Sequence, residues 1–297
     1  MGKLFYFMLL PSPIQQVSFR GRSLFVKRDD LIDPFVSGNK WRKLKYILQD
    51  AAEKDKKHLI TFGGAYSNHL LATAAATAKN HLKTTAFIRG EEVSNPMLAL
   101  CQLFGMQLRF IDRESYKHKE TLFEKHYAND NNAYFVNEGG ASKEAVIGCA
   151  EIIEELQEDF DHIFCAAGTG TTAAGLLKGI NKHQLQTTLH VIPVLKGGDF
   201  IRDEIAIYES DLSKLQLHTD YHFGGYAKTT PELITFIKDF TSSTGILLDP
   251  IYTSKMFYAT FDLIEKGVIE KDSKILMLHT GGLFGILGKI NEFQKIL

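Results

Sequence analysis

The chain has 297 residues, of which 44% are hydrophobic and 23% charged. That is enough for a large core in one or two domains, and it is not the composition of a disordered or fibrous chain. Thirty-four Lys and Arg against 35 Asp and Glu give a formal net charge of -1, so there is no global basic field to hold a polyanion, and nucleic acid is not an expected partner.

From the N-terminus, the apolar stretch Phe5 to Leu10 is short, lacks a basic leader and runs into Pro11-Ser12-Pro13. It reads as an edge segment and not as a signal. After Gly38-Asn39-Lys40, the residues Trp41, Leu44, Lys45, Leu48, Ala51 and Ala52 recur at helical spacing. Short β-rich runs then alternate with amphipathic ones. Strands are expected at His58 to Phe62, Thr84 to Ile88, Met106 to Ile111, Ala133 to Val136, His162 to Ala167, Thr188 to Leu195 and Lys274 to His279. Ile152, Ile153 and Leu156 mark a helix before Asp159, and Thr230-Pro231 reads as a cap and first helical residue of a helix that Gly245 ends. The alternation predicts an α/β fold of open, twisted parallel sheets with flanking helices. The βα units fall in two blocks divided near Asn137-Glu138-Gly139-Gly140, which predicts a small domain, 46–148, inserted in a large one made of 1–45 and 149–297. No run approaches the roughly 18 apolar residues of a membrane span, so the chain reads as soluble and cytoplasmic. Cys101, Cys149 and Cys165 lie far apart, which argues against a disulfide framework or a metal site.

Three glycine-bearing turns follow predicted strands, where open α/β sheets bind ligands. In Gly63-Gly64-Ala65-Tyr66-Ser67-Asn68-His69, Ser67 is placed to cap a helix whose free N–H groups would attract a carboxylate. In Ala167-Gly168-Thr169-Gly170-Thr171-Thr172-Ala173, the glycines satisfy the loose dinucleotide form. The acidic residue expected about 20 positions on is missing, for Leu195-Lys196-Gly197 stands there. Three threonine hydroxyls beside free N–H groups suit a compact phosphate monoester instead. The third turn is His279-Thr280-Gly281-Gly282, where the histidine also reads as a satisfied residue at the core's edge. Lys40 stands at a helix start, which is unfavourable for an ammonium ion and biases the side chain toward the neutral amine that forms Schiff bases. A solvated surface lysine is the plain alternative.

Taken together, Lys27-Arg28-Asp29-Asp30, Gly38-Asn39-Lys40-Trp41-Arg42-Lys43 and the Gly63 to His69 turn resemble the 1-aminocyclopropane-1-carboxylate deaminase and D-cysteine desulfhydrase family. These are pyridoxal-phosphate enzymes of the tryptophan-synthase-β type, fold type II. The threonine loop, the run Thr244 to Lys255 and His279 to Gly282 follow in the family's order, so the likeness covers nearly the whole chain. The resemblance implies pyridoxal 5'-phosphate as cofactor, an amino acid as substrate and a homodimer. It implies that Lys40 carries the cofactor through a Schiff base and is the base at Cα, and that Asn68 meets its phenolic oxygen. Ala167 to Thr172 would hold the phosphate, with Thr280 and Gly281 also at the cofactor. Ser67, Asn68 and His69 would lie at the substrate, which Tyr226 and Tyr252 flank.

Thr253 stands where the family's deaminases carry a glutamate that pairs with the pyridine nitrogen. A hydroxyl there makes a weaker electron sink than a carboxylate, which turns the expectation toward β-elimination from D-cysteine, with opening of 1-aminocyclopropane-1-carboxylate as the alternative. Leu70-Leu71 replaces the family's Thr-Arg, which removes a polar contact on the substrate side and leaves a binding protein without turnover conceivable. A nicotinamide dehydrogenase built on the Gly168 loop is the rival from another enzyme class.

Overall fold

The computed structural model describes residues 8–295. Of the apolar N-terminal stretch, Phe5 to Phe7 lie outside the described residues, and Met8 to Leu10 form no strand. In chain order the first half contains β1 (Ile14–Phe19), β2 (Arg22–Lys27), α1 (Asn39–Glu53), β3 (His58–Gly63), α2 (Asn68–Lys79) and β4 (Lys83–Arg89). It continues with α3 (Pro96–Leu103), β5 (Gln107–Ile111), α4 (Lys119–Tyr127), β6 (Ala133–Phe135) and α5 (Lys143–Glu154). The second half contains β7 (His162–Ala167), α6 (Thr171–Lys182), β8 (Thr188–Pro193), α7 (Ile201–Ala206) and β9 (Leu215–Leu217). It closes with α8 (Pro231–Thr244), α9 (Thr253–Glu265), β10 (Ile275–Leu278) and α10 (Ile290–Gln294).

Ten strands among the described residues make two sheets. One has the order β1-β2-β10-β7-β8-β9 and the other β5-β4-β3-β6. Neighbours run parallel throughout, except that β1 and β2 form an antiparallel hairpin at one edge of the larger sheet. In β7, Ile163 and Cys165 enter the core on one face while Phe164 and Ala166 enter it on the other. Burial on both faces is why this strand is apolar without alternation. The strands of the smaller sheet all fall between residues 58 and 135. The expected division points fall inside helices, since α1 runs unbroken through Tyr46 and α5 through Gly148.

The N-terminal segment is held to α1 and α5 by buried charge. Arg42, fully buried, donates to both carboxylate oxygens of Asp29, at 3.2 and 2.9 Å, and also to both oxygens of Glu155. Lys27 donates to Glu155 at 2.7 Å and to the Ser12 carbonyl at 2.7 Å, while the Ser12 hydroxyl donates to Asp29 at 2.6 Å. Two cations thus face two carboxylates, and removing any one would strand its partner in the core. This network lies two residues along α1 from Lys40 and fixes the start of that helix.

Candidate active site

Strands of both sheets turn their C-terminal ends toward one cavity of about 470 Å³, as open α/β sheets do at ligand sites. After β3 the wall is Gly64 to His69; β4 ends in Arg89, and β6 leads to Glu138 and Gly139. On the larger sheet, β7 leads to Ala167, Gly168, Thr169, Gly170 and Thr172, β8 to Leu195, and β10 to Thr280, Gly281 and Gly282. Lys40, Lys43, Tyr226, Ile251 and Tyr252 also line it.

Lys40 is the second residue of α1, whose cap, Gly38, has φ 62° and ψ -141°. A Cβ at Gly38 would stand 1.7 Å from the Thr280 carbonyl oxygen, so only glycine lets this helix start so close to the β10 turn. The Lys40 amine is pushed down to about 7, first by burial and then by the charge of Lys43, with Cys149 and Asp249 opposing. The expected neutrality therefore has a different main cause from the helix dipole. Lys43, one turn on, is also lowered by burial and donates to the Gly139 carbonyl at 3.1 Å.

Ser67 caps α2 by accepting from the Leu70 N–H at 3.4 Å. The Thr61 hydroxyl donates to the Val136 carbonyl at 3.1 Å, so its 2.8 Å contact with Nε2 of His69 must be one it accepts. His69 therefore carries its proton on Nε2, and its buried Nδ1 has no hydrogen-bond partner among the described residues. Burial, then Lys40 and Lys43, hold this imidazole well below its ordinary range and neutral. His279 is fully buried and bonded through both nitrogens, Nε2 to the Leu247 carbonyl at 2.8 Å and Nδ1 to the Gly281 N–H at 3.2 Å. Its role is the structural one.

Across the cavity the Tyr252 hydroxyl donates to that of Tyr226 at 3.4 Å. Burial first raises both phenols, Tyr252 well above its ordinary range, so both are neutral. Tyr252 precedes α9 and is set by Asp249, whose buried carboxylate accepts from the N–H groups of Ile251, Tyr252 and Thr253 at 3.0, 2.7 and 2.9 Å. Burial outweighs those bonds and raises Asp249 to about 6.

Two expected residues are not on the wall. Thr253 is fully buried, and its hydroxyl accepts from the Asp249 N–H at 2.9 Å. It is engaged in the turn before α9. Thr171 is also fully buried, with its hydroxyl 3.2 Å from that of Thr169. Conversely, Lys43, Arg89, Glu138 and Ile251 line the cavity without having been singled out as site residues. The available signal was their place: Arg89 ends a strand, Glu138 follows one, and Lys43 is one turn beyond Lys40.

Residues 9–281 match the family described as pyridoxal-phosphate dependent enzyme. A protein of Thermotoga maritima named putative 1-aminocyclopropane-1-carboxylate deaminase is 32% identical over 305 residues, covering 95% of this chain and 96% of the relative. An Arabidopsis thaliana mitochondrial protein named bifunctional D-cysteine desulfhydrase/1-aminocyclopropane-1-carboxylate deaminase is 30% identical, covering 97% of this chain and 80% of its own length. The crystal structure of an ACC deaminase homologue superimposes with a TM-score of 0.85 at 31% identity, over 98% of this chain and 95% of the other. The fold is thus the tryptophan-synthase-β-like architecture of fold type II.

The residues present fit pyridoxal 5'-phosphate. The Lys40 amine at about 7 is the kind that condenses with an aldehyde near neutral pH. The start of α6 has no side-chain cap on its free N–H groups, which leaves them for a phosphate. At Gly168 a Cβ would stand 3.1 Å from the Tyr252 ring, so the loop's backbone is bare where a group would approach it.

Proposed function

Since this chain belongs to the pyridoxal-phosphate-dependent enzymes and shares their deamination and β-elimination chemistry on amino-acid-like substrates, we propose that it deaminates 1-aminocyclopropane-1-carboxylate, or a close small amino acid, to a 2-oxo acid and ammonia. One observation carries the proposal: a lysine amine lowered to about 7 and a pair of neutral tyrosine hydroxyls line the same small cavity. The name of the Thermotoga relative, matched nearly end to end, supports the cyclopropane substrate.

When bound, the cofactor supplies an electron sink for the carbanion character that develops at the substrate's Cα. Lys40, Asn68 and the Gly168 to Thr172 segment would hold it, with Thr280 and Gly281 beside it. The chain's own groups do the remainder. The free N–H groups at the start of α2, with Ser67, bind and orient the substrate carboxylate. The Lys40 Nζ, uncharged above about 7, moves a proton at the substrate carbon. The Tyr226 and Tyr252 hydroxyls, both protonated, hold or deliver a proton on the cavity side they share. Neutral His69 offers Nδ1 as an acceptor beside Lys40 and adds no further positive charge.

A second reading, β-elimination from D-cysteine to pyruvate, ammonia and sulfide, is supported by the double name of the Arabidopsis relative. It is further supported by the lack of any carboxylate directly after Tyr252. The two are separated on one preparation by measuring 2-oxobutanoate from 1-aminocyclopropane-1-carboxylate and pyruvate from D-cysteine. Dominant 2-oxobutanoate supports the main reading, and dominant pyruvate replaces it with the second. Borohydride reduction followed by peptide mapping should place the pyridoxyl group on Lys40; label on another lysine removes the assignment.

A further inference from the structure

Tyr226 is carried by a loop between β9 and α8 whose backbone has an uncommon shape. Phe223, Gly224, Gly225 and Ala227 all have positive φ, at 50°, 93°, 119° and 54°. Two of the four are not glycine, and side chains with a Cβ resist that region on steric grounds. The loop's internal bonds are local: the Gly224 N–H donates to Nδ1 of His222 at 2.9 Å, the Gly225 N–H to the His222 carbonyl at 3.0 Å, and the Lys228 N–H to the Gly225 carbonyl at 3.1 Å. None of these three ties the loop to the sheet.

Lys255 does. It is the third residue of α9 and is fully buried. Its ammonium donates to the carbonyls of His222 and Gly225, both at 2.8 Å, and of Val194 at 3.3 Å. An ammonium has three N–H donors, and here three backbone carbonyls meet them. Two belong to the strained loop, and the third directly follows β8, one residue before cavity-lining Leu195. Among the described residues no carboxylate is bonded to this ammonium, although the charge of Asp249 favours it, and its burial carries a desolvation cost that the deamination chemistry does not explain. The same helix start presents Tyr252, the hydroxyl partner of Tyr226.

We propose that Lys255 is a positioning residue for Tyr226: its ammonium draws the loop's carbonyls onto the C-terminal end of β8 and thereby sets the Tyr226 hydroxyl against that of Tyr252. The inference rests on the reading that Tyr226 faces the substrate. It assigns the lysine no contact with substrate or cofactor, and it requires a cation at that point without requiring that the cation be part of the chain.

The test combines turnover of whichever substrate the enzyme accepts with hydrogen exchange at the amides of residues 222–228, both on the pyridoxal-phosphate-loaded enzyme. Lys255→Ala should lower kcat on the order of 10²-fold, the scale on which a small misplacement of a catalytic group acts. Exchange should quicken in the loop while protection in β3 and β7 stays as it was. Methylammonium chloride, small enough for the vacated space, should restore part of both, whereas sodium chloride at equal ionic strength should not. Wild-type exchange in the loop, or methylammonium that restores neither quantity, would overturn the proposal. Should the alanine variant fail to fold, Lys255→Met keeps the apolar stem and removes every donor, and unchanged loop exchange there is equally fatal. Tyr226→Phe, made in the otherwise natural chain, separates the two layers. Full turnover in that variant removes the reading of Tyr226, while loop exchange in the Lys255 variants still decides the clamp.

Discussion

Gly38→Ala should be among the most damaging single changes available outside the cavity. The added Cβ would stand 1.7 Å from the Thr280 oxygen and 2.9 Å from the Gly281 nitrogen, against the 3.4 Å where ordinary contact begins. Relief needs a movement of about 1.7 Å between two backbones, since neither neighbour is a flexible side-chain end. That movement would break the Gly38 N–H bond to the Asp29 carbonyl (2.9 Å) and the Asn39 N–H bond to the Thr280 carbonyl (3.4 Å). Backbone strain at a conformation open essentially to glycine, together with two lost hydrogen bonds, costs about 4 kcal/mol, a large share of the roughly 5–15 kcal/mol available to a folded chain. Gly21→Ala is the control: its φ is also positive, at 70°, but nothing lies within 4 Å, so about 1 kcal/mol is expected. Urea midpoints measure both, and the absorbance change on adding pyridoxal phosphate reports whether Lys40 still reaches the aldehyde. Equal midpoint shifts for the two variants would refute the close-approach argument.

In the loop proposed to hold the phosphate, Gly170 has φ 71° and a Cβ there would be 3.2 Å from that of Glu204. Gly170→Val should therefore weaken cofactor binding well beyond Thr171→Ala, which removes about one hydrogen bond and so about fivefold in affinity; a fluorescence titration compares them. Lys43→Met removes a charge that holds the Lys40 amine down, so the pH of half-maximal pyridoxal capture should move above about 7, and an unchanged profile would mean that burial alone sets it. The rings of His162, His190 and His218 are joined by two 2.9 Å nitrogen–nitrogen contacts. Burial and the two neighbouring histidines hold His190 at about 3 against an ordinary 6.5. Because the folded state binds the proton less readily, the stabilisation is complete above 6.5 and is lost as pH falls toward about 3. His190→Leu should flatten that part of the urea-midpoint profile.

How much was legible depended on how each element is buried. β3, β7 and β8 could be read because burial on both faces leaves short, mostly apolar runs. The β1–β2 hairpin mixes polar and apolar residues without a regular period around Arg20-Gly21, both at positive φ, which is not the pattern of a buried parallel strand. β9 has only three residues, too few for any period to show. The glycine turns stood out because each follows a strand, and the cavity wall contains all three. Arg89 and Glu138 reach the same wall as lone polar residues at strand ends, which in a sequence look like any solvated charge. Position next to Tyr252 does not say which way a helix's first turn faces, and the backbone of Asp249 bonds the Thr253 hydroxyl.

The contact between Gly38 and Thr280 joins residues 242 positions apart in the chain, and β2 finds its parallel neighbour only in β10. During synthesis, strands β3 to β6 can pair among themselves long before β10 leaves the ribosome, because the smaller sheet needs nothing beyond residue 135 for its ladder. Lys40 has no such independence. Its helix start acquires its seat only when the last strand docks, so a nascent chain arrested before residue 280 should display a paired smaller sheet while its lysine remains an ordinary, protonated one.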